Sequence, residues 1–211
     1  MAVTDYSTYG HTVSTVSAVL TSTYSKFGGA CYDSTVSGTN YYGIADHQVF
    51  RFGTSSVTVE GWFMQLLPNR QQSVITKAMD DSHRLNFILL NNGAMVIQSY
   101  DVDDPSVRID ISATLAWSSG TWKHLAWVRN YTNGSSSDWA FYEDGQPKSL
   151  SLVVGSWGNP LYAGNGYDIR VGVDDRTGYG GGGIPGFMID ELRISNIARY
   201  TGSFTPPSAP F

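Results

Sequence analysis

The chain has 211 residues, of which only 15% are charged, and its 13 Lys and Arg against 18 Asp and Glu leave a formal net charge of -5. The charges are scattered, which excludes the basic stripe of a nucleic-acid binder, while 23 Gly, 13 Tyr and abundant Ser and Thr favour strands joined by tight turns over helices. Cys31 is the single cysteine, so no internal disulfide is available, and a chain of this length buries enough surface to fold without one.

Met1-Ala2-Val3-Thr4-Asp5-Tyr6 has neither a basic start nor an apolar run, so no secretory leader is expected there, and no membrane-inserting segment follows. Residues 1–12 lack any period and read as an N-terminal arm that orders only against something else. Strands are predicted at Val13–Leu20, Lys26–Tyr32, Tyr41–Ala45, Val57–Met64, Val74–Ala78, Leu85–Leu90 and Met95–Tyr100. They continue at Val107–Ile111, Lys123–Arg129, Trp139–Glu143, Ser149–Val154, Ile169–Val173 and Phe187–Ile194. Asn91-Asn92-Gly93 and Glu143-Asp144-Gly145-Gln146 read as hairpin turns, with Gly supplying positive φ. Trp62, Trp122 and Trp127 fall on strands and are expected in the core. Short strands without an amphipathic helix predict an all-β fold of two stacked antiparallel sheets over residues 13–200. Pro206, Pro207 and Pro210 have no backbone donor, so residues 201–211 are expected to run as an extended C-terminal strap.

Longer irregular segments lie at 68–73, 101–106, 132–137, 156–166 and 174–185, where a rigid scaffold would carry its specific chemistry. Trp157 with Asn159 and Tyr162, and Tyr179 beside Asp174, Asp175 and Arg176, combine aromatic surface with short polar groups. That combination suits either a sugar ring or a protein partner. His11, His47, His83 and His124 are far apart in sequence, and none has the spacing of a catalytic base or a zinc ligand. Gly178–Gly183 lacks the Lys-Ser/Thr and the helix of a phosphate loop. The sequons at Asn130 and Asn133 carry no weight without a leader.

Four stretches in order give the chain a family resemblance. They are Ser25-Lys26-Phe27-Gly28-Gly29 with Gly38-Thr39-Asn40-Tyr41-Tyr42; Val57-Thr58-Val59-Glu60-Gly61-Trp62-Phe63; Thr121-Trp122-Lys123-His124-Leu125-Ala126-Trp127-Val128-Arg129-Asn130; and Gly186-Phe187-Met188-Ile189-Asp190-Glu191-Leu192-Arg193-Ile194-Ser195, running on to Pro207. They resemble the laminin G-like, concanavalin A-like jelly rolls that recur in bacteriophage tail and capsid-surface proteins. Phe141-Tyr142-Glu143-Asp144-Gly145 matches the family's usual hairpin turn.

The resemblance implies a two-sheet antiparallel β-sandwich and, as the leading functional expectation, a non-enzymatic virion-surface protein. Its partners would be phage capsid or tail proteins and sister copies. The alternative it implies is a lectin-like module for surface glycans, assisted by calcium held by Asp101, Asp103 and Asp104 or by Asp174 and Asp175. Family glucanases place their carboxylates at alternate positions of one strand, because such residues share a face. Here Asp190 and Glu191 are adjacent, with Met188 and Arg193 at the flanking positions, so no catalytic pair is expected. Asp190, Glu191 and Arg193 are expected to fix the closing strand, by hydrogen bonds or by pairing among themselves and with Arg129 or Lys123; His124 is expected to pack and make an internal hydrogen bond.

Overall fold

The computed structural model of the chain describes residues 3–36, 40–67, 72–80, 82–90, 93–173 and 186–211. Its strands form two antiparallel sheets, one of eight strands and one of seven. The eight-stranded sheet runs β1 (Val13–Val16), β4 (Tyr41–Ile44), β14 (Ile169–Val171), β6 (Gln72–Asp80), β7 (His83–Leu89), β8 (Ala94–Asp101), β9 (Ile109–Thr114) and β13 (Ser151–Gly155). The seven-stranded sheet runs β12 (Gln146–Lys148), β11 (Trp139–Glu143), β10 (Trp122–Arg129), β5 (Val57–Gln65), β15 (Phe187–Ser195), β3 (Cys31–Asp33) and β2 (Val19–Thr21). Alternate residues of the facing sheets make the core: Val59 and Phe63 of β5, Trp127 of β10 and Phe141 of β11 meet Leu85, Phe87, Ile97 and Ile111. The predicted sandwich is therefore the observed one.

Three details depart from the predicted strands. Val13–Leu20 is not continuous: Ser17 takes a left-handed φ of 49°, and the chain passes there from the eight-stranded to the seven-stranded sheet. Lys26–Tyr32 pairs only from Cys31 onward, because the amides of Lys26 and Phe27 turn aside to donate to the Asp190 carboxylate and Gly28 has φ 61°. Residues 105–107 form a 3-10 turn rather than the start of β9, with the Asp104 side chain accepting from the Ser106 amide. The hairpin at Asp144-Gly145 forms as read, both residues having positive φ. Of the predicted Asn91-Asn92-Gly93 turn between β7 and β8, only Gly93 lies among the described residues. Trp62 and Trp127 are buried, whereas Trp122 is half-buried and donates its indole N–H to the Tyr24 carbonyl.

The closing strand contains a β-bulge. Asp190 lies opposite Trp62, and the next paired residue, opposite Glu60, is Arg193 rather than Leu192. Glu191, at φ 51°, is part of the extra length, and Gly61 leaves room for it: a Cβ there would lie 3.3 Å from the Glu191 carbonyl oxygen and the Leu192 Cα. One inserted residue re-aims every later side chain of a strand. Arg193 therefore reaches the outer face of the seven-stranded sheet, where it meets Glu60.

Candidate functional site

The outer faces of the two sheets are built differently. On the seven-stranded sheet, Glu60 is fully buried, and its carboxylate accepts from Arg193 Nε at 2.9 Å and from the Tyr200 hydroxyl at 2.6 Å. Arg199 Nε lies 3.3 Å from one carboxylate oxygen and His124 Nε2 lies 3.3 Å from the other. Burial alone would raise the Glu60 pKa, but His124, Tyr200 and Arg193 outweigh it and hold the carboxyl below its ordinary value. The chain beyond β15 lies over this network. Tyr200 and Phe204 stack at 3.5 Å, Phe204 donates its amide to the Gly145 carbonyl, and Arg193 sits 3.6 Å from the Phe211 ring centroid. A groove of about 450 Å³ remains at one side, lined by Lys26, Phe27, Trp62, Asp144 and the strap residues Pro206, Pro207 and Ser208. Lys123 Nζ already donates to Asp144 at 2.7 Å.

Of the two routes expected to fix the strand, Asp190 and Glu191 use hydrogen bonds, while Arg193 pairs with a carboxylate of β5. Asp190 accepts from the backbone amides of Lys26, Phe27 and Glu191, and its pKa is raised, chiefly by burial. Glu191 accepts from the Phe211 amide and Arg193 pairs with Glu60. Arg129 pairs with no carboxylate of that strand; it donates to the carbonyls of Gly53 and Asn159. His124 is buried and in edge contact with Trp62 and Phe204.

The outer face of the eight-stranded sheet carries a row of hydrogen-bonding side chains. Directly opposed residues of an antiparallel pair share a face, and the register aligns Arg170 with Thr76, Thr76 with Asn86, Asn86 with Gln98, and Gln98 with Asp110. The neighbouring core residues Leu85 and Phe87, Ile97, and Ile109 and Ile111 point inward, which turns this row outward. Tyr41 and Tyr100 flank it. The Arg170 guanidinium lies 5.0 Å from the Tyr41 ring centroid, and those of Arg84 and Arg108 lie 5.3 Å and 4.7 Å from that of Tyr100. Arg108 also donates to Asp110 at 3.0 Å. At the centre, Asn86 is fully buried and neither its Nδ2 nor its Oδ1 has a hydrogen-bond partner. An unpaired buried amide costs about 1–3 kcal/mol.

Several residues expected to bind ligand instead hold the sandwich together. Trp157 is half-buried and its carbonyl accepts from the Trp139 indole; Asn159 Nδ2 donates to the Arg108 carbonyl at 2.7 Å; Tyr162 is 8% exposed and its amide donates to Ser99 Oγ. Asp174, Asp175, Arg176 and Tyr179 lie outside the described residues. Asp101, Asp103 and Asp104 do not converge as an oxygen-rich calcium set. Asp104 turns away to accept from Ser106, whereas Asp101 and Asp103 join His83 within 4.8 Å. No ligand spacing in the sequence shows this grouping, which arises because His83 opens β7 directly opposite Asp101. The residues of the polar row were not foreseen. Their one sequence signal is a polar residue at alternate positions inside predicted strands, as in Arg84-Leu85-Asn86-Phe87.

A two-sheet antiparallel sandwich with this strand order is the architecture of a concanavalin A-like jelly roll. The chain belongs to the concanavalin A-like lectin/glucanases superfamily, whose family model matches residues 36–201. No curated protein matches it in sequence. Among solved structures, it is similar to the binding domain of botulinum neurotoxin serotype D, with 12% identity and a TM-score of 0.65 over 95% of this chain and 46% of that one. The chain thus spans just under half of that toxin domain. It is also similar to domain 4 of AbnA, an extracellular arabinanase of Geobacillus stearothermophilus solved with arabinotriose, at 17% identity and TM-score 0.60, covering 91% of this chain and 84% of that one. A third is the CBM40 of the Ruminococcus gnavus IT-sialidase, bound to α2,3-sialyllactose, at 11% identity and TM-score 0.56, covering 75% of this chain and 89% of that one. At these identities the likeness establishes the fold.

Proposed function

We propose that the protein is a non-catalytic carbohydrate-binding module whose ligand lies across the outer face of the eight-stranded sheet. The observation that carries this reading is the aligned row Arg170, Thr76, Asn86, Gln98 and Asp110, with the unpartnered Asn86 amide at its centre. A sugar offers hydroxyl edges for such a row and apolar C–H faces for the flanking Tyr41 and Tyr100. Two of the similar solved domains hold oligosaccharides, which supports the same class of ligand. The absence of a hydrolytic step is supported by Glu60 and Asp190, whose carboxylates are engaged by protein donors. A virion-surface role with capsid, tail or sister-copy partners draws no support from the described residues. Much of the strap, and His11 of the arm, whose ring meets that of Phe50 at 5.0 Å in a tilted contact, lie against their own sandwich.

The test is an array of neutral and carboxylate-bearing oligosaccharides probed with the full chain, together with Tyr100→Ala and Gln98→Ala. Saturable binding that weakens about tenfold in each variant, a loss of about 1.4 kcal/mol, with no sugar released as product, is the expected result. Binding to no glycan, or affinity unmoved by both substitutions, would refute the assignment.

A further inference from the structure

At one end of the eight-stranded sheet, β6, β7 and β8 bring Asp80, His83 and Asp101 together with Asp103 of the following turn. The imidazole is engaged on both sides. Nδ1 lies 2.9 Å from Asp80 Oδ1, while Nε2 lies 3.1 Å from Asp103 Oδ2 and 3.5 Å from Asp101 Oδ1. We infer that His83 Nε2, Asp101 and Asp103 form a binding site for a zinc-class divalent cation, with Asp80 as the residue that orients the imidazole.

Spacing, asymmetry and charge all favour a cation here. Ligands about 2.0–2.2 Å from a tetrahedral ion sit about 3.3–3.5 Å from one another; the two Nε2-to-carboxylate distances already bracket that edge length. Asp80 anchors Nδ1 as a carboxylate anchors the remote nitrogen of a metal-bound histidine, and a cation would take the place of the proton that Nε2 shares with Asp103. Asp101 is itself positioned by the Asp103 amide, which donates to its Oδ1 at 3.0 Å. Three carboxylates face a single imidazole here, so even an imidazolium leaves a negative surplus. One nitrogen and two carboxylate oxygens suit zinc, whereas calcium requires six to eight oxygens. The Asp103 side chain is 85% exposed, which leaves an open side for water or a ligand oxygen. The site lies at the sheet's end and does not depend on the glycan reading.

The experiment is a calorimetric titration of the chelator-treated full chain with zinc chloride, repeated with calcium chloride. The expected result is one zinc bound per chain with a micromolar Kd, no saturable calcium binding, and a raised melting temperature with zinc. His83→Ala should abolish binding. Asp103→Asn, at an exposed position that does not threaten folding, should weaken it at least tenfold, and Asp80→Asn about tenfold. Absence of saturable zinc binding, zinc affinity unchanged in Asp103→Asn, or calcium binding in preference to zinc would each overturn the site.

Discussion

The two outer faces of the sandwich both carry polar side chains, to opposite ends. On the seven-stranded sheet the buried carboxylate has donors on every side and a roof of Tyr200, Phe204 and Phe211, so its polarity is converted into attachment of the C-terminal segment. On the eight-stranded sheet the row is aligned yet leaves Asn86 unsatisfied. The contrast lies between a carboxylate ringed by donors and an amide with none, although Trp62 Nε1 and His124 Nδ1 of the sealed face also lack partners.

The largest expected effect belongs to the sealed face. Arg193→Ala leaves Glu60 buried with less positive charge against it and should cost about 3 kcal/mol in urea unfolding; a loss under about 1 kcal/mol would mean that Arg199, His124 and Tyr200 suffice. Gly145→Ala comes next, at about 2 kcal/mol in a thermal melt, because φ is 75° there and the added carbon would lie 1.8 Å from the Phe204 carbonyl oxygen. An unchanged melting temperature would show that the strap does not need its seat on the hairpin.

Acid sharpens the contrast further. Burial acts to raise Asp46 and Asp138, yet Lys77, Arg51 and the Gly166 amide for the first, and Thr132, Gly134 and Asn133 for the second, bring both to about 2. Glu60 is lowered as well. Carboxyls with depressed folded-state pKa values stabilise above their unfolded pKa, and that stability is lost as pH falls through the folded value. Unfolding free energy should therefore hold above about pH 5 and decline from about pH 4 toward pH 2. A profile flat to pH 2 would contradict the satisfied-carboxylate account. The smallest expected effect is on the eight-stranded sheet: Asn86→Leu removes an unpaired amide and should leave stability within about 1 kcal/mol of the original, or above it, while glycan affinity drops at least tenfold. A large destabilisation with intact binding would reverse the roles assigned to the two faces.

Much of the fold was legible because alternation and turn chemistry are local. Asp144-Gly145 announces its hairpin, and Trp127 announces a core, whereas Trp62 and Trp122 lie outside the main cluster. What was hidden is non-local. The break at Ser17 and the bulge at Glu191 arise from sheet pairing and from the gap that Gly61 leaves, neither of which a single strand displays. Trp157 and Tyr162 carry the composition of a binding loop, yet Arg129 and Trp139 pin that loop to the sandwich. Asn86 and Gln98 look like ordinary strand residues until register sets them side by side.

Mapping backbone amide shifts by NMR, while titrating the oligosaccharide that binds best on the array, tests the central claim most directly. The account predicts that the moving signals cluster at Thr76, Asn86, Gln98, Asp110 and Arg170. Shifts confined to Lys26, Phe27, Trp62 and Ser208, around the groove beneath the strap, would contradict it.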